Sequence, residues 1–172
     1  DQDVSAEAPP PVAAGAEPSG SDLAPGSASS VGCASEPSPN TPVCTFAQTS
    51  APVRVDGAIR SWAVRNASGD LSLQVVGERG GRIFIRSFSQ FESVPDLAPH
   101  AFATDVRVER GDVVGVTLAP GAAIGTRPAA DGAVASRWSG TLPLSPERTR
   151  AAELDAELLL RVDVEAGGRP DL

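Results

Sequence analysis

Leu154-Asp155-Ala156-Glu157-Leu158-Leu159-Leu160-Arg161-Val162-Asp163-Val164-Glu165 is where two signals in the sequence disagree. Ala, Leu, Glu and Arg are good helix formers. Just upstream, Ser145-Pro146-Glu147 reads as a helix start, with Ser as cap and Pro at the first helical position. The polarity pattern says otherwise. Leu154, Ala156, Leu158, Leu160, Val162 and Val164 alternate with Asp155, Glu157, Arg161, Asp163 and Glu165. A helix would spread these apolar side chains around its circumference, whereas a strand places them all on one face. The pattern predicts a turn or helical stub at 146–152 and one long closing strand over about 154–165.

The same period-two rule runs through the preceding hundred residues. Leu71, Leu73 and Val75 alternate with Ser72 and Gln74, and Glu78-Arg79-Gly80-Gly81 supplies a turn. Arg82 to Phe91 returns as a strand, with Ile83 and Ile85 on one face and Phe84 and Phe88 on the other. Phe102, Thr104, Val106 and Val108 form the next alternating set, followed by a Gly111-Asp112 turn and then Val114, Val116 and Leu118. Further strands are expected at Val43–Gln48, Pro52–Val55, Ala58–Arg65 and about Gly132–Trp138. Eight or nine short strands separated by Gly, Asp and Asn turns predict an all-β chain, an antiparallel β-sandwich of jelly-roll-like form.

Composition agrees. The 172 residues include 17 Gly and 16 Pro, too many for a helical bundle and too aperiodic for collagen. No run approaches the roughly 18 consecutive apolar residues of a membrane-spanning helix. A net charge of −8 argues against nucleic acid as the partner. The charge is uneven. Residues 1–42 carry Asp1, Asp3, Glu7, Glu17, Asp22 and Glu36, eight prolines, no aromatic residue and no arginine. Such a segment cannot build a core and reads as an extended, partly polyproline II tail or linker. Residues 43–167 form the expected sandwich domain and 168–172 a short C-terminal end. Position 1 is Asp, which fits a chain matured by removal of a signal peptide.

Cys33 and Cys44 enclose ten residues containing Pro37, Pro39 and Pro42. No second cysteine pair accompanies them and His100 is the only histidine, so a disulfide is a better reading than a metal half-site. That reading implies an oxidising, extracytoplasmic location. Val31-Gly32-Cys33 faintly matches a lipoprotein cleavage box, but the small, polar Gly20–Ser30 stretch before it lacks the apolar character such a box needs.

The run Gly57-Ala58-Ile59-Arg60-Ser61-Trp62-Ala63-Val64, then Ser68-Gly69-Asp70-Leu71-Ser72-Leu73-Gln74-Val75, resembles uncharacterised secreted domains of surface proteins from GC-rich actinobacteria and relatives. Val106 to Val116 and Glu157 to Val164 extend the resemblance, which covers about residues 43–166. It implies a secreted β-sandwich and brings no activity or site residues with it.

The sequence offers little catalytic chemistry. A nucleophilic triad needs a histidine base, and the one candidate, His100, follows Pro99 at the start of an expected strand and reads first as an exposed loop histidine, with no GxSxG elbow in the chain. The acids of the closing strand fall on its outward face, where solvated charge is the default. Asp56, Asp70, Asp112 and Asp131 occupy turn contexts and are weak calcium candidates, although Asp beside Gly is first a turn former. Trp62 and Trp138 are candidates for stacking on a sugar ring. Trp62 shares strand parity with Arg60 and Val64, so its face is mixed, and Trp138 lies near a strand end where exposure is expected, yet either indole would also serve a core poor in aromatics. Arg110-Gly111-Asp112 matches an integrin-type tripeptide but reads first as a hairpin turn, and Asn66-Ala67-Ser68 satisfies a glycosylation sequon. The sequence therefore predicts no enzyme and no cofactor beyond calcium. It predicts a secreted structural subunit of a surface assembly or filament, self-associating through its tail or sheet edges. The alternative is a carbohydrate-binding module on a stalk, with surface polysaccharide as partner.

Overall fold

The structure is a computed structural model and describes residues 29–33, 43–129 and 132–167. The described residues are all-β and antiparallel: β1 (Ser29–Gly32), β2 (Cys44–Ala47), β3 (Gly57–Val64), β4 (Gly69–Arg79), β5 (Arg82–Val94), β6 (His100–Val108), β7 (Val113–Leu118), β8 (Ala123–Pro128), β9 (Ala135–Ser139), β10 (Ala152–Leu154), β11 (Ala156–Leu158) and β12 (Leu160–Ala166). They build a six-stranded sheet in the order β10-β9-β2-β7-β4-β5 and two three-stranded sheets, β12-β3-β6 and β1-β8-β11. Leu71, Leu73 and Val75 of the large sheet share one core with Ile59, Trp62, Val106 and Val162 of the second sheet and Ile124 and Leu158 of the third. This layered packing is consistent with a β-sandwich. None of the described residues forms a helix.

The period-two reading holds for most strands but not along β5. There a bulge in the pairing with β4 puts Phe88 on the face of Ile83 and Ile85 and not on that of Phe84. Three further places depart from the sequence reading. Residues 154–165 are extended but not one strand. They split at Asp155 and Leu159 into β10, β11 and β12, which pair with β9, β8 and β3 and so join all three sheets. The cause lies in the break of alternation at Leu158-Leu159-Leu160, all three of which are buried. Leu159 is the switch between two ladders. Its N–H continues the pairing with β8 by donating to the Gly125 carbonyl at 2.8 Å, and its carbonyl turns to the β3 side and accepts the Arg65 N–H at 3.3 Å. Buried Gln48 secures the middle piece: its Nε2 donates to the Val134 and Ala156 carbonyls, and its Oε1 accepts the Leu158 N–H at 2.7 Å. The helical stub expected at 146–152 is absent. Glu147 instead exchanges both backbone hydrogen bonds with Ile83, at 2.9 and 3.0 Å, so a sheet edge claims the groups a helix would have used. Pro52–Val55 is not a strand either, although the Val53 backbone binds Asp112 and Gly111.

Ser29–Gly32, inside the segment read as tail, forms β1 against β8. The rest of the tail, residues 1–28 and 34–42, and the C-terminal end 168–172 lie outside the described residues. Cys33 and Cys44 are joined in a disulfide, with Cα atoms 5.4 Å apart and both residues buried. The bond ties the end of β1 to the start of β2.

Candidate binding groove

Strand β5 decides the outer surface of the large sheet. It is an edge strand, and its pairing with β4 slips at two bulges, one between Ser72 and Gln74 and one between Val75 and Val76. In the first, Ser72 faces Phe91 and Gln74 faces Phe88. Residues three apart in a regular strand point to opposite faces; the extra residue of the bulge places both phenylalanines on the same side as Ser72 and Gln74. Ser89 makes the irregularity tolerable. Its Oγ accepts the Leu73 N–H at 2.9 Å, and its carbonyl accepts the Ser72 Oγ–H at 2.6 Å. Gln74 Nε2 then donates to Ser72 Oγ at 3.0 Å. This polar floor is buried and satisfied inside the protein.

A wall is added by the segment after β9. Gly140 donates its N–H to Val43 O and accepts Thr45 Oγ1–H, while Pro143 O accepts the N–H of Ile85. Since β7 and β4 lie between β2 and β5 in the sheet, residues 140–147 cross its outer face from one side to the β5 edge. Leu142 packs there against Ala47, Val76, Ile85 and Trp138 in a second, smaller apolar cluster. Beyond it, Leu142 and Leu144 on one side and Phe88 and Phe91 on the other enclose a groove of about 340 Å³ over the Ser72–Gln74 floor. Phe88, Phe91 and Leu144 are 56%, 51% and 71% exposed, three of the five large exposed hydrophobics among the described residues.

The residues singled out by sequence are elsewhere. Trp62 is 1% exposed and packs on Phe102 with ring centroids 5.0 Å apart. Trp138 is 6% exposed and donates Nε1–H to Thr149 Oγ1 at 2.9 Å. Its edge lines a second cleft, but the exposure expected at that strand end is not there, because the 142–151 segment covers the ring. Neither indole face is open to a sugar. Asp112 is buried, gripped at both oxygens by Arg86 at 2.6 and 3.0 Å and by the Glu109 N–H, so the Arg110-Gly111-Asp112 carboxylate is not displayed. This grip raises the Arg86 pKa above its ordinary value, chiefly through the Asp112 hydrogen bond. Asp56 accepts the Arg110 N–H and Asp70 accepts Ser93 Oγ–H. Asp131 lies outside the described residues. Among the described residues no three His, Cys, Asp or Glu side chains come together as metal ligands. His100 binds Asp96 at 2.7 Å, and that contact, with the Ala98 N–H, holds the Asp96 carboxyl below its usual range.

A third depression, of about 540 Å³, is charged but internally balanced. Arg60 holds Glu165 at 2.6 Å and Asp105 at 2.8 Å, which raise its pKa, Glu165 first, and Arg107 pairs with Glu109.

No family model, curated protein or solved structure matches this chain. Function must therefore be argued from the surface itself. The only signal in the sequence for the groove was Phe88-Ser89-Gln90-Phe91: two aromatics three apart inside a strand, a spacing that a regular strand cannot place on one face. Among the described residues, no helix is long and apolar enough to cross a membrane.

Proposed function

We propose that this chain is a non-catalytic, secreted structural protein, a jelly-roll-like sandwich that joins copies of itself in an extracellular surface assembly, with the Phe88–Phe91 groove as the contact surface. The observation that carries this reading is the convergence of Phe88, Phe91 and Leu144 on one groove. Exposed large apolar side chains scattered singly need no explanation, whereas a concentrated patch marks an interaction site. The buried disulfide supports an oxidising location. The groove's own polar groups favour a protein partner over a sugar. A sugar needs many hydrogen bonds, and Ser72, Ser89 and Gln74 already spend theirs on one another and on the β4 and β5 backbone.

Sedimentation velocity of the full chain at rising concentration tests this. The wild type associates with concentration, and Phe88→Ser/Phe91→Ser stays monomeric while still unfolding in a cooperative transition. A wild type that stays monomeric throughout, while a glycan array shows binding that the same substitutions abolish, replaces this reading with the carbohydrate-binding one.

A further inference from the structure

Resting on that reading, we propose that the groove's occupant is the Ala8-Pro9-Pro10-Pro11-Val12 segment of a second copy of this chain. Three consecutive prolines preset the backbone in the extended polyproline II form, and such segments dock between aromatic walls, losing little entropy. The groove has the matching shape: two phenylalanines face two leucines across an apolar channel, and at its exposed rim stand Thr141 and Gln90, whose Nε2 gives one N–H to Glu92 at 3.3 Å and keeps the other for a proline carbonyl. Its volume of about 340 Å³ suits a short peptide stretch and is too small to seat a folded domain.

The chain preceding the described residues is long enough. It enters the body at Ser29 in β1, on the β1-β8-β11 sheet and not on the sheet that bears the groove. The seventeen residues from Val12 to Ala28 span on the order of 50 Å when extended at ~3.1 Å each. A body of this size has a radius of gyration of about 14 Å, so the segment clears its own domain. Pro18 and Pro25 stiffen the connection against doubling back. Charge agrees as well. Glu7 precedes the prolines in an acidic segment without arginine, and Arg148 and Arg150 are exposed on the stretch that continues from the Leu144 wall. A tail that enters a neighbour's groove is a heterologous contact, and repetition of it propagates a chain of subunits.

Complementation between two full-length variants tests this. One carries Phe88→Ser/Phe91→Ser and keeps its tail; the other carries Pro9→Ser/Pro10→Ser/Pro11→Ser and keeps its groove. Wild type forms species that grow with concentration, and each variant alone associates roughly tenfold or more weakly. Mixed, the two form a heterodimer and nothing larger, because the mixture contains one good tail and one good groove per pair. If the proline variant assembles like wild type while the groove variant does not, the groove is the contact but this occupant is wrong. If the mixture stays monomeric, the inference falls too. A wild type that never associates overturns both the inference and the structural reading beneath it. Leu144→Ser, on the opposite wall, repeats the groove arm should the double variant fail to fold.

Discussion

The inner face of the six-stranded sheet and the groove end of its outer face obey opposite rules. On the inner face Leu71, Leu73, Val75, Val114, Val116 and Leu118 are all fully buried and apolar. On the outer face of the same sheet Ser72, Gln74 and Thr117 are polar and buried, while Phe88 and Phe91 are apolar and exposed. The inner face follows the general drive to remove apolar surface from water, which at roughly 25 cal/mol per Å² outweighs other local terms. The outer face departs from it twice, and both departures meet at one groove. Where burial and polarity are exchanged in this way, stability is a poor explanation of the residues present and binding is a better one.

The largest effect belongs to the inner face. Leu73→Asp places an unpaired charge in the shared core and should cost more than about 4 kcal/mol, read as loss of the cooperative urea transition. At the rim of that face, Arg86→Met strips Asp112 of its bidentate partner and leaves a buried carboxylate. A loss of about 3–5 kcal/mol is expected. Replacing both cysteines with serine removes the link between β1 and β2 and should lower stability by about 2–4 kcal/mol. In the wild type, mass analysis under non-reducing conditions should find no free thiol. Phe88→Ser/Phe91→Ser should cost only about 1–2 kcal/mol for both rings together, since each is half exposed or more. A loss as large as that of an inner-face leucine would erase the distinction between the faces. The smallest effect is at Asp96. Its folded pKa is depressed by His100, so its contribution is present above the unfolded pKa and fades as pH falls through the folded one. Asp96→Asn should leave the melting temperature at neutral pH almost unchanged and slightly flatten its acid limb.

The inner face was legible because alternation encodes it directly: Leu71, Leu73 and Val75, or Val114, Val116 and Leu118, announce both strand and facing. The outer face was not, because its features arise from exceptions to alternation. The bulge at Ser89 depends on a serine hydroxyl reaching a backbone N–H, a tertiary event with no periodic trace. The closing run was recognised as extended, yet its division among three sheets turns on Leu159 and on Gln48, more than a hundred residues earlier. Trp138 was legible as a large apolar residue, but its cover comes from a segment whose local sequence resembled a helix start. The disulfide followed from a lone cysteine pair with a single histidine in the chain and so no set of metal ligands to compete for it.

Hydrogen–deuterium exchange of the full chain at low and at high protein concentration tests most directly whether the outer face is a contact surface. Protection should rise with concentration at Phe88–Glu92 and Thr141–Leu144, and stay level in the inner-face core of β4 and β7. Unchanged exchange at the groove, or protection gained only elsewhere on the molecule, would contradict the assignment of the groove as the surface by which copies meet.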